Sequence, residues 1–136
     1  MKGSVHYLNP EGLNKNAAFT QAVVVNGPAT TIYVGGQNSV DASGTIIGEG
    51  DLKAQTERAL RNVEIALAAA GARLEQIVKW NVYVVHGQPL KAGFEAFLNV
   101  WGRRPNPPAI SSFFVAGLAN PKFLVEIDAI AVVPQE

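Results

Sequence analysis

The sequence predicts one α+β domain: a mixed sheet of five or six strands with two helices packed on one face. Three observations carry this. The chain has 136 residues, the length of a single domain with a real core, and is 48% apolar but only 16% charged. Two stretches repeat apolar residues at helical spacing. The other apolar stretches are short, alternate in polarity and are bounded by Gly, Pro and Asn. No repeat, linker or low-complexity tract divides residues 1–136.

Val5 to Leu8 reads as a short strand, followed by a loop rich in Asn, Gly and Pro. Ala22 to Val25 and Thr31 to Val34 read as two strands, with Asn26-Gly27-Pro28 between them as a hairpin turn. Asp51 is placed to cap a helix from Leu52 to Ala70, whose apolar stripe is Leu52, Ala59, Val63, Ala66, Leu67 and Ala70. Glu57 and Arg61 are spaced as an i,i+4 pair, and Gly71 is a helix stop. Val78 to Val85 is the clearest strand, with Val78, Trp80, Val82 and Val84 on one face. A second helix runs from Leu90 to Trp101 on Leu90, Phe94, Phe97, Leu98 and Trp101, and Gly102 ends it. Strands at Ala109 to Ala116 and Phe123 to Val133 complete the order.

The last strand is largely apolar on both faces. Two helices cover only one face of such a sheet, so the other face predicts self-association.

Composition excludes several classes of function. Formal net charge is zero, so no global field attracts nucleic acid or an anionic membrane. The only adjacent basic pair, Arg103-Arg104, sits beside prolines rather than stacking aromatics. Absence of cysteine removes disulfides, thiolate catalysis and cysteine-held metals. There is no apolar run of signal-peptide or membrane-span length, and the expected location is the cytoplasm. His6 and His86 lack metal-ligand spacing with any acid. Gly35-Gly36 lets backbone approach a ligand, but it is not a dinucleotide fingerprint. No metal or cofactor is expected.

In order along the chain, Tyr33-Val34-Gly35-Gly36-Gln37, Ala68-Ala69-Ala70-Gly71, Gln76-Ile77-Val78-Lys79, Phe94-Glu95-Ala96-Phe97 and Val125-Glu126-Ile127-Asp128-Ala129-Ile130-Ala131 resemble the reactive-intermediate deaminase family. That family is also called YjgF-like or L-PSP. The resemblance implies an α+β fold like the AroH-type chorismate mutase, and a homotrimer with pockets at its interfaces. It implies hydrolysis of imines and enamines without metal or cofactor. Some members have been described as ribonucleases.

The family's deaminases carry an arginine after a Pro-Ala pair, where its fork holds the substrate carboxylate. Here the stretch is Pro108-Ala109-Ile110-Ser111, so Ile110 stands at that position, and nothing from Pro105 to Asn120 is basic. Losing one partner of a desolvated pair costs about 2–5 kcal/mol. Phe19 stands for a tyrosine, Gly35 for a serine, Lys91 for an asparagine and Ser112 for a cysteine. Glu126 matches the family's glutamate and becomes the candidate base that positions water; as a bare sequence feature it also reads as a solvated carboxylate beside Asp128. Gly36 and Gln37 complete the loop side of the expected site. Ser111 and Ser112 are candidate donors, and Lys91 either supplies a charge to the pocket or points to water.

The resulting expectation is a protein that binds a small organic metabolite and, if catalytic, hydrolyses an imine- or enamine-type bond. It is not a standard 2-imino-acid deaminase. The alternatives are a non-catalytic binding or interaction trimer and, least supported by the charge, a ribonuclease.

Overall fold

The computed structural model describes residues 1–136. Six strands and two α-helices follow the predicted order: β1 (Ser4–Leu8), β2 (Ala22–Asn26), β3 (Ala29–Gln37), α1 (Leu52–Ala69), β4 (Ile77–Val85), α2 (Leu90–Trp101), β5 (Ala109–Val115) and β6 (Val125–Pro134). A 3-10 turn, Leu74–Gln76, leads into β4. Four strands form one sheet in the order β3-β6-β4-β5, while β1 and β2 form a separate antiparallel ribbon. Only β4 and β5 run parallel, because α2 carries the chain back across the sheet between them.

The hairpin expected at Asn26-Gly27-Pro28 does not form. β2 pairs with β1, whereas β3 pairs with β6. The turn residues serve a crossing instead. Gly27 adopts φ +74, the left-handed region that suits glycine. Gly3 N–H donates to Gln135 O (2.9 Å), and Gln135 N–H donates to Pro28 O (3.0 Å), so β1, β3 and β6 meet there.

β6 lies between β3 and β4, which explains its apolar character. Val125, Ile127, Ala129 and Ala131 are buried toward the helices. Glu126, Asp128 and Ile130 alternate onto the opposite face, which no helix covers.

Asp51 caps α1 by accepting from Ala54 N–H (3.1 Å), and Ala72 N–H closes its far end on Leu67 O (2.9 Å) beside Gly71 at φ +76. The buried side of α1 is wider than the predicted stripe, taking in Gln55, Thr56 and Leu60. Arg61 pairs with Glu64 (3.6 Å) rather than Glu57, whose carboxylate lies near Asn99 of α2.

α2 is asymmetric. Phe97 packs against the core and Trp101 is buried in it, but Leu90, Phe94 and Leu98 of the same predicted stripe are about half exposed. Its C-terminal end is pinned: Arg104 Nη1 donates to Val100 O and Trp101 O (2.9 Å each), and Trp101 Nε1 donates to Arg104 O (2.8 Å). Its first turn has no side-chain cap. No helix is long and apolar enough to cross a membrane.

Candidate functional site

A cavity of about 460 Å³ lies between the sheet and the first half of α2, within the size range of small-ligand sites. Its floor is Trp80, Val82 and Val84 of β4, Ile110 and Ser112 of β5, and Ile127 of β6. Thr56 and Leu60 of α1 close one side, and Leu90, Lys91, Gly93, Phe94 and Phe97 of α2 close another. The loop before β2 adds Asn16, Ala18 and Phe19.

Local hydrogen bonds place Phe19. The next residue, Thr20, is buried and donates its hydroxyl to Pro107 O, while its N–H donates to Pro108 O (3.1 Å). The loop is thereby fastened to the lead-in of β5. Gln21 holds the loop's other side through Asn9 Oδ1 and Asn14 O.

The wall is mostly apolar. Trp80 is 1% exposed and meets Phe97 and Trp101 edge-on, with ring centroids at 5.2 and 5.9 Å. Its indole N–H has no oxygen or nitrogen acceptor. The Thr56 hydroxyl is committed to Leu52 O (2.7 Å). Lys91 is the only charged residue in the lining, and no carboxylate takes part.

The other expected site residues lie elsewhere. Strand register puts Ile110 and Ser112 beside Trp80 and Val82, on the helix side. Glu126 pairs across from Tyr83 and projects from the uncovered face, one residue out of phase with cavity-lining Ile127. Phe19, Lys91, Ile110 and Ser112 therefore share the cavity, whereas Glu126 and Ser111 belong to the opposite face. Gly35, Gly36 and Gln37 sit at the end of β3, where its register with β6 shifts between Val34 and Gln37.

Gly36 is glycine for a local reason. A Cβ there would stand 2.7 Å from the Glu126 carboxyl carbon and closer still to Oε2. Asn38 Nδ2 reaches Glu126 Oε1 (3.3 Å) and also donates to Val125 O (3.1 Å). Asn62 of α1 fixes that loop by donating to Asn38 O (2.9 Å) and Val40 O (2.8 Å). The Gln37 side chain turns back onto Gly35 O (3.2 Å).

Beside Glu126 the uncovered face carries a polar row. Asn81 Nδ2 donates to Asp128 Oδ1 (2.9 Å), Tyr83 O–H to Asp128 Oδ2 (3.2 Å), and Lys79 Nζ to Ser111 Oγ (2.6 Å). Tyr83 stacks on Phe113 at 5.4 Å. Loss of solvent, then the charge and hydrogen bond of Asp128, and lastly Glu126, raise the Tyr83 phenol above its ordinary pKa. No three His, Cys, Asp or Glu residues gather as a metal site.

Sequence reasoning missed Asn38, Asn62 and Tyr83 around Glu126. Only strand register could have paired Tyr83 with Glu126. Trp80 and Phe97, read as core or stripe residues, are also cavity wall.

Two helices on one face of this mixed sheet define an α+β domain of the chorismate-mutase-like class. Residues 11–133 match the family model described as Endoribonuclease L-PSP. A RutC family protein of Synechocystis is 34% identical over 117 residues, covering 85% of this chain and 86% of the relative. A rat protein named 2-iminobutanoate/2-iminopropanoate deaminase is 32% identical, covering 85% and 80%. Among solved structures, a conserved Rid family protein from Yersinia pestis superposes with a TM-score of 0.84 at 30% identity, covering 95% of this chain and 98% of its own. The YjgF gene product of E. coli gives 0.68 at 30% identity, covering 75% and 80%. The chain belongs to the YjgF/Rid (L-PSP) family.

Proposed function

We propose that this protein binds a small, largely apolar metabolite in the cavity beneath α2, as a cytoplasmic homotrimer. The observation that carries the reading is the cavity wall. Ile110 lines it where the family resemblance leads one to expect an arginine, and the wall holds no carboxylate. A 2-imino acid would meet isoleucine rather than a guanidinium at this point of the wall, without the forked pairing that a carboxylate takes from arginine. Self-association is supported by the uncovered sheet face, where Tyr33 is 77% exposed and Phe113 47%.

A second reading is favoured by the surroundings of Glu126. Its carboxylate is held by Asn38 against the Gly36 backbone, an arrangement suited to positioning a water for imine or enamine hydrolysis. In one chain that carboxylate and the cavity occupy opposite faces of the sheet, so catalysis on a cavity ligand would need a second copy.

Two assays test the pair of readings. Binding is followed by the Trp80 indole N–H resonance during titration with 3-phenylpropanamide, a neutral aromatic probe. Saturable shifts in the wild type that vanish in Ile110→Trp, which fills the cavity, are expected; no shift in the wild type removes the binding reading. Ammonia release from freshly generated 2-iminobutyrate is expected to match the uncatalysed rate. Turnover by the wild type that disappears in Glu126→Gln would establish the hydrolytic reading in its place.

A further inference from the structure

The cavity also indicates the class of its ligand, an inference that rests on the binding reading above. Lys91 is its one charged residue, and this ammonium forms no ion pair. Its place in the fold is unfavourable for the helix. A lysine in the first turn of α2 meets the positive end of the helix dipole, and that turn contains no acid and no side-chain cap to offset it. The charge thus does nothing for α2, yet it borders an apolar chamber that has no other ion. Leu90 and Phe94, half exposed on either side in sequence, continue the apolar wall to the opening.

We propose that the ligand is an amphipathic carboxylate. Its aromatic or branched aliphatic body lies against Trp80, Phe97 and Ile110, and its anionic end stops at Lys91 in the mouth. The anion's anchor has moved from strand β5, where Ile110 offers no charge, to the start of α2. An ammonium on a flexible stem holds a carboxylate as a point charge in partial solvent, so the preference is for charge and length rather than for a forked geometry.

The test compares 3-phenylpropanoate with 3-phenylpropanamide, which differ in charge but hardly in shape, on the wild type and Lys91→Met. Dissociation constants come from the Trp80 indole resonance. In the wild type the carboxylate is expected to bind about fivefold tighter than the amide, the upper range for a solvated ion pair, with the advantage shrinking as salt is added. Lys91→Met should remove the advantage whatever it does to amide affinity, and a native-like Trp80 indole resonance in the ligand-free variant verifies that it is folded. Equal affinities in the wild type, or a preference that survives in Lys91→Met, would overturn the anchor while the cavity reading stands. Failure of both probes to bind would sink the cavity reading and this inference together.

Discussion

Replacing Gln55 by leucine isolates a polar tie inside the core. Gln55 is fully buried on α1, and its side-chain amide is saturated by backbone from two distant loops. Nε2 donates to Gly48 O (3.2 Å) and to Lys122 O (3.1 Å), while Oε1 accepts from Leu124 N–H (2.9 Å). Leucine preserves the bulk, so the cavity penalty is small, but three backbone groups lose their partner. At about 1 kcal/mol per bond the expected loss is about 3 kcal/mol, a large part of the 5–15 kcal/mol that stabilises a typical domain. Urea unfolding at fixed protein concentration measures it, since self-association would otherwise shift the midpoint. The midpoint should fall with an unchanged slope. A loss below about 0.5 kcal/mol would refute the argument, because water would then be replacing all three bonds at no cost. The segment from Lys122 leads directly into Val125 and Glu126. Amide exchange at Leu124 should therefore quicken in the variant as well.

Gly36→Ala is expected to cost only about 1 kcal/mol, because the atoms its methyl meets belong to the flexible end of Glu126. It should nevertheless break the Asn38 contact, and an unmoved Asn38 side-chain amide resonance would contradict that. Tyr83 has a folded pKa above its unfolded value of 10.0, so its contribution to stability is complete below pH 10 and is lost as pH rises through the folded value. Asp128→Asn removes the second cause of that shift and leaves the first, loss of solvent. Ultraviolet titration in a Tyr7→Phe, Tyr33→Phe background should show the phenol ionising at lower pH, though not fully back at the unperturbed value. An unchanged titration would mean that Asp128 does not act on it.

The fold was legible wherever one residue period ran long enough to expose a face. Val125, Ile127, Ala129 and Ala131 alternate without interruption, and the structure buries all four. Misreading arose where local chemistry suits two geometries. Asn26-Gly27-Pro28 has turn residues, yet Gln135 N–H takes Pro28 O, and β3 continues that pairing along β6. In α2, spacing identified the apolar residues but not which of them the sheet would cover. Of the expected site residues, Phe19, Lys91, Ile110 and Ser112 line one cavity, while Gly35, Gly36, Gln37, Ser111 and Glu126 do not. This division between two sheet faces was not legible, because it depends on pairing between strands 30 or more residues apart, as from Lys79 to Ala109. Nor were Gln55 and Asn62, whose partners are backbone groups remote in sequence and carry no side-chain signature.

The uneven anchoring of α2 has a consequence for how a ligand gets in. Trp101, Gly102 and Arg104 clamp the far end of the helix, while its first turn lacks a cap and lies over the chamber. If that turn frayed, Leu90 and Lys91 would leave the chamber's edge while Trp101 and the sheet beneath stayed in place. On the binding reading, entry would then need only a local opening, below the free energy of global unfolding. The same turn, once closed, would set how long such a ligand stays, placing the control of affinity at one helix end rather than in the core.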